Sequence, residues 1–211
     1  MQSRSFGITL SLYNLYLMTK QQIIATFDPS QPGLADATIF GLPFSAEQSE
    51  IIIIPVPWEV TVSYGSGASD GPQAILEASF QVDLNHQEFP ELWKLGIFMD
   101  EAPSHWATNS EKYKNLAQPI IEAQENGEDI STFPALQSDL DKINKICREL
   151  HTEVKERTQY WLDKGKKVVL LGGDHSTPLG YYEALASQHE SFGILHLDAH
   201  MDLRIAYEQF T

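Results

Sequence analysis

Two apolar runs flanking a helical stretch constrain this chain more than anything else in it. Lys166–Leu171 (KKVVLL) is rich in Val and Leu and is followed by two glycines, which is the pattern of a buried strand. Phe192–Leu197 (FGILHL) has the same pattern. Between them Pro178–Glu190 (PLGYYEALASQHE) predicts a helix, with proline near its first turn. Strand, helix and strand within about thirty residues make one right-handed crossover unit, so the two strands run parallel. The expected fold is therefore α/β: three layers, α/β/α, around a mainly parallel sheet.

In that fold the residues after each strand emerge at the same carboxyl edge, where open α/β sheets place ligands. The first strand leads into LLGGDHS and offers His175; the second leads into HLDAHMD and offers Asp198, His200 and Asp202. Alternate residues of an extended segment share a side. Asp198, His200 and Asp202 then face one way while Ala199 and Met201 face the other. Carboxylates and imidazoles without thiolates suit a hard or borderline divalent ion such as Mn²⁺. Gly172 and Gly173 allow a tight turn and a close backbone approach. Asp174 reads as a helix cap or as a partner that orients a ligand histidine. Ser176 reads as the N-cap of the following helix.

GGDHS followed by DAHMD resembles the ureohydrolase family of arginases, agmatinases and formiminoglutamases. The likeness extends to Ile51–Ser79 (IIIIPVPWEVTVSYGSGASDGPQAILEAS), which is similar to that family's first strand and substrate-side loop, and covers roughly Glu50 to Thr211. DAHMDLRIAYEQF looks closer to agmatinases than to arginases. The resemblance implies a centre of two Mn²⁺ ions. His175, Asp198 and Asp202 would hold one; His200 and a bridging Asp198 would hold the other. It also implies a small cationic guanidino substrate, hydrolysed to urea and an amine, with putrescine as the amine if the substrate is agmatine. The family takes two more aspartates from a Ser-x-Asp-x-Asp motif and a catalytic acidic residue further on. This sequence carries neither, so no catalytic residue is assigned, and residues 50–211 are expected to be the N-terminal two-thirds of an incomplete domain. A second class stays open: a non-catalytic remnant or interaction subunit with at most one weak metal site. A single-metal, deacetylase-like relative is a third, although that family's ligand stretch differs from DAHMD and normally lacks GGDH.

The net charge of −15, from 29 acidic and 14 basic residues, excludes the basic footprint of a nucleic-acid binder. It serves solubility, and it favours the approach of a cation. The single cysteine, Cys147, allows no internal disulfide and falls on an apolar helical face. No segment has the length of a membrane span. Phe6–Met18 is moderately apolar but no small-residue cleavage pattern follows it, so Met18 rather than Met1 is the expected natural start and the cytoplasm the expected compartment.

Residues 1–49 read as an N-terminal extension and arm. The part from Thr19 to Ser49, rich in Pro, Gly, Gln and Ser, lies on the domain surface or against a neighbouring subunit of a homo-oligomer. Ile51–Val56 is a strand buried on both faces. Trp58–Asp70 is a glycine-bearing loop in which Tyr64, Ser66 and Ser69 could line a substrate mouth, and Asp70-Gly71-Pro72 opens a helix through Ala78. A second strand is expected near Trp93–Ile97, a loop over Asp100–Ser110, and a helix over Lys112–Asn126 weakened at Pro119. Asp139–Lys164 is the clearest helix, with Leu140, Ile143, Cys147, Leu150, Val154 and Trp161 at three- and four-residue steps, Ser138 as its cap and Gly165 at its end. His151 reads as structural; His86, His105 and His189 have no partners at ligand spacing.

Overall fold

The computed structural model describes residues 18–33, 37–62, 65–202, 206 and 209–211. Among these the regular elements are helix α1 (Lys20–Thr26), strand β1 (Ile51–Val56), helix α2 (Gly71–Ser79), strand β2 (Ile97–Met99), helices α3 (Ser104–Glu125) and α4 (Pro134–Asp163), strand β3 (Lys167–Gly172) and helix α5 (Leu179–Gln188). The strands form one all-parallel sheet in the order β2-β1-β3, which makes the fold α/β. The chain divides into two compact units.

The first unit takes its described residues from Met1–Pro55, Pro72–Glu101 and Trp161–Leu171, and it holds the sheet. Central β1 pairs with β2 through Ile51↔Ile97, Ile52↔Phe98 and Ile53↔Met99. On its other side Lys167 N–H donates to the Glu50 carbonyl at 2.9 Å. Ile52, Ile53 and Ile54 are all buried, as a β-branched run between two neighbours requires. Part of the segment expected to lie on the domain surface or against a neighbouring subunit is packed into the first unit. Thr19 and Gln22 close a capping box that starts α1, and Ile23 of α1 joins Leu42, Phe44 and Trp93 in a buried apolar cluster. Burying four large side chains outweighs the Pro- and Gly-rich composition around them. The first seventeen residues, with the proposed extension, lie outside the described residues, and so does Tyr64.

The second unit comprises Val56–Gly71, Ala102–Tyr160 and Gly172–Thr211. Helix α3 begins at Ser104, within the stretch expected to be a loop, and runs unbroken through Pro119. The ring costs the helix about 3 kcal/mol; Ala117, Ile120 and Ile121, all buried around it, offset that. Trp106 Nε1 donates to Glu153 at 2.6 Å, and the Arg157 guanidinium lies over the Trp106 ring, so the start of α3 is fixed to α4. Helix α4 begins at Pro134, five residues before the expected start at Asp139, because a proline suits a first turn. Ser138 is therefore inside the helix and caps nothing. The predicted apolar face of α4 is buried, Cys147 included, and burial pushes that thiol up to about 12. Helix α5 lies hard against α4: a Cβ at Gly180 would stand 2.1 Å from the His151 carbonyl oxygen.

One expected element is absent. Phe192–Leu197 is irregular, and Ile194, Leu195 and Leu197 are 54%, 85% and 88% exposed. An apolar run becomes a buried strand only where both its faces and its hydrogen-bonding edges are covered. Here nothing in the described chain covers them.

Candidate metal centre

The loop after β3 is built before its histidine is placed. Gly173 N–H donates to the Val56 carbonyl at 2.9 Å, and Asp174 N–H to the Trp58 carbonyl at 2.8 Å. The chains run so close that a Cβ at Gly173 would sit 1.9 Å from the Trp58 oxygen. Only glycine fits, which is the physical reason for the second glycine of the GGDHS stretch. The Asp174 carboxylate then gathers three donors: Oδ2 accepts from Val60 N–H at 3.2 Å, and Oδ1 from the Ser176 N–H at 3.0 Å and the Ser176 hydroxyl at 2.6 Å. Asp174 is thus the keystone of the turn carrying His175. Ser176 serves that turn, and the N-cap of α5 is Pro178. The Ser176 carbonyl also accepts from the His151 ring at 3.1 Å. Burial lowers the pKa of His151, and the Ser176 carbonyl partly opposes this. His151 is structural, as its place on α4 implies.

His175 faces the two aspartates of the downstream stretch. Its Nδ1 lies 3.0 Å from Asp202 Oδ2 and 3.5 Å from Asp198 Oδ2. His196, given no role above, completes the group, with Nε2 at 3.3 Å from Asp202 Oδ2 and 3.9 Å from Asp198 Oδ2. One donor atom from each of these four residues lies within 4.8 Å of all the others. The His175 and His196 rings stack at 5.2 Å. His200 stands outside the group of four. It is 82% exposed, and its Nδ1 lies 3.2 Å from the other oxygen of Asp198, Oδ1, which also accepts the His200 N–H at 2.8 Å. That N–H leads in holding the Asp198 carboxyl below the ordinary range; burial opposes it, and the His200, His175 and His196 rings add to it. Asp202 has φ +45°, a left-handed conformation that aspartate tolerates better than most residues. The period-2 alternation of HLDAHMD extends one step back from Asp198 to His196, and that was the available signal for it.

Ser66 and Ser69 serve a buried carboxylate. Glu59 is 1% exposed. Its Oε1 accepts from the Ser66 hydroxyl at 2.8 Å, its Oε2 from the N–H groups of Gly67 and Ser69 at 2.7 and 3.1 Å, and Lys114 of α3 pairs with it. Burial works against ionisation there, but Lys114, Ser66 and the Ser69 and Gly67 N–H groups together bring the carboxyl down to about 2. No sequence pattern links Glu59 with Lys114, which lies 55 residues away. His86 accepts two N–H groups of its own turn, and His105 pairs with Glu153 at 2.8 Å, so both have structural work.

The arginase family matches residues 49–211. The chain belongs to the arginase family. Among curated arginase-family relatives it is 29% identical to an N(1)-aminopropylagmatine ureohydrolase of Thermus thermophilus over 157 residues, covering 74% of this chain and 41% of that protein. An N(1)-aminopropylagmatine ureohydrolase of Synechocystis is 27% identical over 167 residues, covering 78% and 44%. An agmatinase of Bacillus anthracis is 29% identical over 164 residues, covering 78% and 44%. The match to these family members thus spans less than half of their length. No solved structure gives a significant match. Among the described residues no helix is long and apolar enough to cross a membrane.

Proposed function

We propose that the chain holds Mn²⁺ and takes part in hydrolysing an agmatine-like guanidino compound to urea and an amine. The observation that carries this reading is the convergence of His175, Asp198 and Asp202. Two donors bound to one ion at about 2.1 Å stand roughly 3.0–3.4 Å apart. The 3.0 Å and 3.5 Å contacts of His175 with Asp202 and Asp198 are of that size. The donor types, imidazole and carboxylate, suit manganese. His175, Asp198 and Asp202 would hold one ion.

Asp198 would bridge to a second. Its Oδ2 faces His175 and its Oδ1 faces His200, so its two oxygens already address two different imidazoles. His200 would belong to that second ion. When bound, divalent cations supply Lewis acidity that brings loss of a water's proton within reach of neutral pH. The protein's own residues do the rest. Asp174 fixes the backbone on either side of His175, so that ring needs little reordering on binding. The overall −15 charge favours the approach of a cationic guanidinium to the protein. On this reading the protein works in the cytoplasm within polyamine metabolism, as a homo-oligomer.

The test is a urea-release assay with agmatine, N(1)-aminopropylagmatine and arginine in the presence of Mn²⁺, on wild type and Asp198→Asn. Turnover of one of the first two, abolished in Asp198→Asn, supports the proposal. Unchanged turnover in the variant would remove the bridging role. Mn²⁺ binding without urea from any substrate would leave the non-catalytic reading standing.

A further inference from the structure

We propose that His196 is a direct ligand of the divalent cation held by His175, Asp198 and Asp202, so that a single chain supplies two imidazoles and two carboxylates to one ion. This rests on the metal-binding reading above and adds to it a residue that reading does not need.

The geometry treats His196 as it treats His175. Asp202 Oδ2 is within reach of both rings, 3.0 Å from His175 Nδ1 and 3.3 Å from His196 Nε2. Asp198 Oδ2 lies 3.5 and 3.9 Å from the same two nitrogens. The 3.0 and 3.3 Å spacings to Asp202 are those of neighbouring donors around one ion with bonds of about 2.1 Å, and the 3.5 and 3.9 Å spacings to Asp198 are somewhat longer. Among the described residues the ion-pair partners of Asp198 and Asp202 are all histidines. Two carboxylates balance a divalent charge, and two imidazoles complete the set without adding to it.

The backbone explains how His196 gets there. Asp202 has a positive φ, and its carboxylate is within reach of a nitrogen of each ring. Leu197, between His196 and Asp198, is 88% exposed, so its side chain points away from the group that its two neighbours join. A role in core packing does not account for His196, whose side chain is 35% exposed beside two carboxylates.

The test is titration of the 211-residue chain with Mn²⁺ alone, by calorimetry and by electron spin-echo spectroscopy. The latter counts imidazole nitrogens bound to manganese. Wild type is compared with His196→Ala, His196→Asn, His175→Ala and, as a control for loss of an exposed histidine elsewhere, His189→Ala. Because His196 is on an irregular, solvent-facing segment, circular dichroism of the variants is expected to match wild type; the asparagine variant keeps a polar side chain if alanine disturbs the fold. The expected result is one fewer manganese-bound imidazole nitrogen in either His196 variant than in wild type and His189→Ala, with an affinity loss of about tenfold to a hundredfold or more, since even groups behind the ligands are worth that much. Wild-type affinity and an unchanged nitrogen count in both His196 variants, with binding lost in His175→Ala, would overturn the role of His196 and leave the metal site intact. No Mn²⁺ binding by wild type would overturn both.

Discussion

The two halves of the candidate site are held in opposite ways. The turns after β1 and β3 are closed by their own hydrogen bonds: Asp174 takes three donors, Glu59 takes Lys114 and three more, and Gly173 is locked against Trp58. The stretch from Glu190 to Asp202 has no regular structure, exposes Leu195, Leu197 and Met201, and is tied to His175 through charged side chains. One half is a finished scaffold that presents an imidazole. The other is a set of candidate ligands on an irregular segment. Stability therefore belongs to the first half, and the proposed response to a cation to the second.

The largest effect should come from breaking the scaffold. Glu59→Ala leaves Lys114 and three donors without their carboxylate. Removing one partner of a buried pair costs about 3–5 kcal/mol, and with Lys114 28% exposed the lower end is expected. Chemical denaturation measures it; a loss under about 1 kcal/mol would class the pair with surface ion pairs. The same carboxyl sets a pH dependence. Its folded-state pKa is lowered from 4.5 to about 2, so the unfolded chain binds the proton more readily. The stability it contributes is present above pH 4.5 and is lost as pH falls through about 2. Glu59→Gln should flatten the denaturation midpoint over that interval. An equally steep profile in the variant would assign the dependence to other groups.

Next comes Gly173→Ala, which forces a methyl against the Trp58 carbonyl. Overpacking of this kind costs about 1–3 kcal/mol, read as a drop in melting temperature. Because the shift moves the turn that carries His175, Mn²⁺ affinity should fall with it. Wild-type affinity in a destabilised variant would separate the two halves more completely than the hydrogen bonds imply.

The other half should behave in reverse. Asp202→Asn changes a partly exposed side chain, so without metal its stability should stay within about 0.5 kcal/mol of wild type. Saturating Mn²⁺ should raise the melting temperature of wild type, by the equivalent of about 2.7 kcal/mol at a hundred times Kd, and should not raise that of the variant. A chelator should reverse the wild-type shift. A variant that still responds to Mn²⁺ would show that the cation binds elsewhere. The smallest change in stability is expected from Leu195→Lys with Leu197→Lys, again within about 0.5 kcal/mol. That pair should still reduce self-association in sedimentation, because exposed apolar runs drive it. Unchanged sedimentation would mean that the run is covered in solution.

What the sequence made legible follows the same division. The β3–α5 unit and the buried face of α4 depend on local periodicity, and both lie within a residue or a few of where periodicity puts them. The expected convergence of His175 with Asp198 and Asp202 rests on a strand, Phe192–Leu197, that the described chain does not form; the two aspartates reach His175 from an irregular segment instead, with His200 outside the group. Alternation alone does not say how far the set extends, and His196 lies one step before the residues that the motif singles out. The Glu59–Lys114 pair was out of reach, since it depends on how α3 packs beside the loop after β1. The buried cluster around Ile23 was hidden by a composition rich in prolines and polar residues.

His175, Asp198 and Asp202 are proposed to hold a divalent cation. Anomalous diffraction at the manganese edge, from crystals of this chain grown with Mn²⁺, tests it most directly. The account predicts a peak within about 2.0–2.3 Å of a His175 ring nitrogen and of a carboxylate oxygen from each of Asp198 and Asp202. A well-ordered site with no peak there, or a peak bound only by other residues, would contradict it.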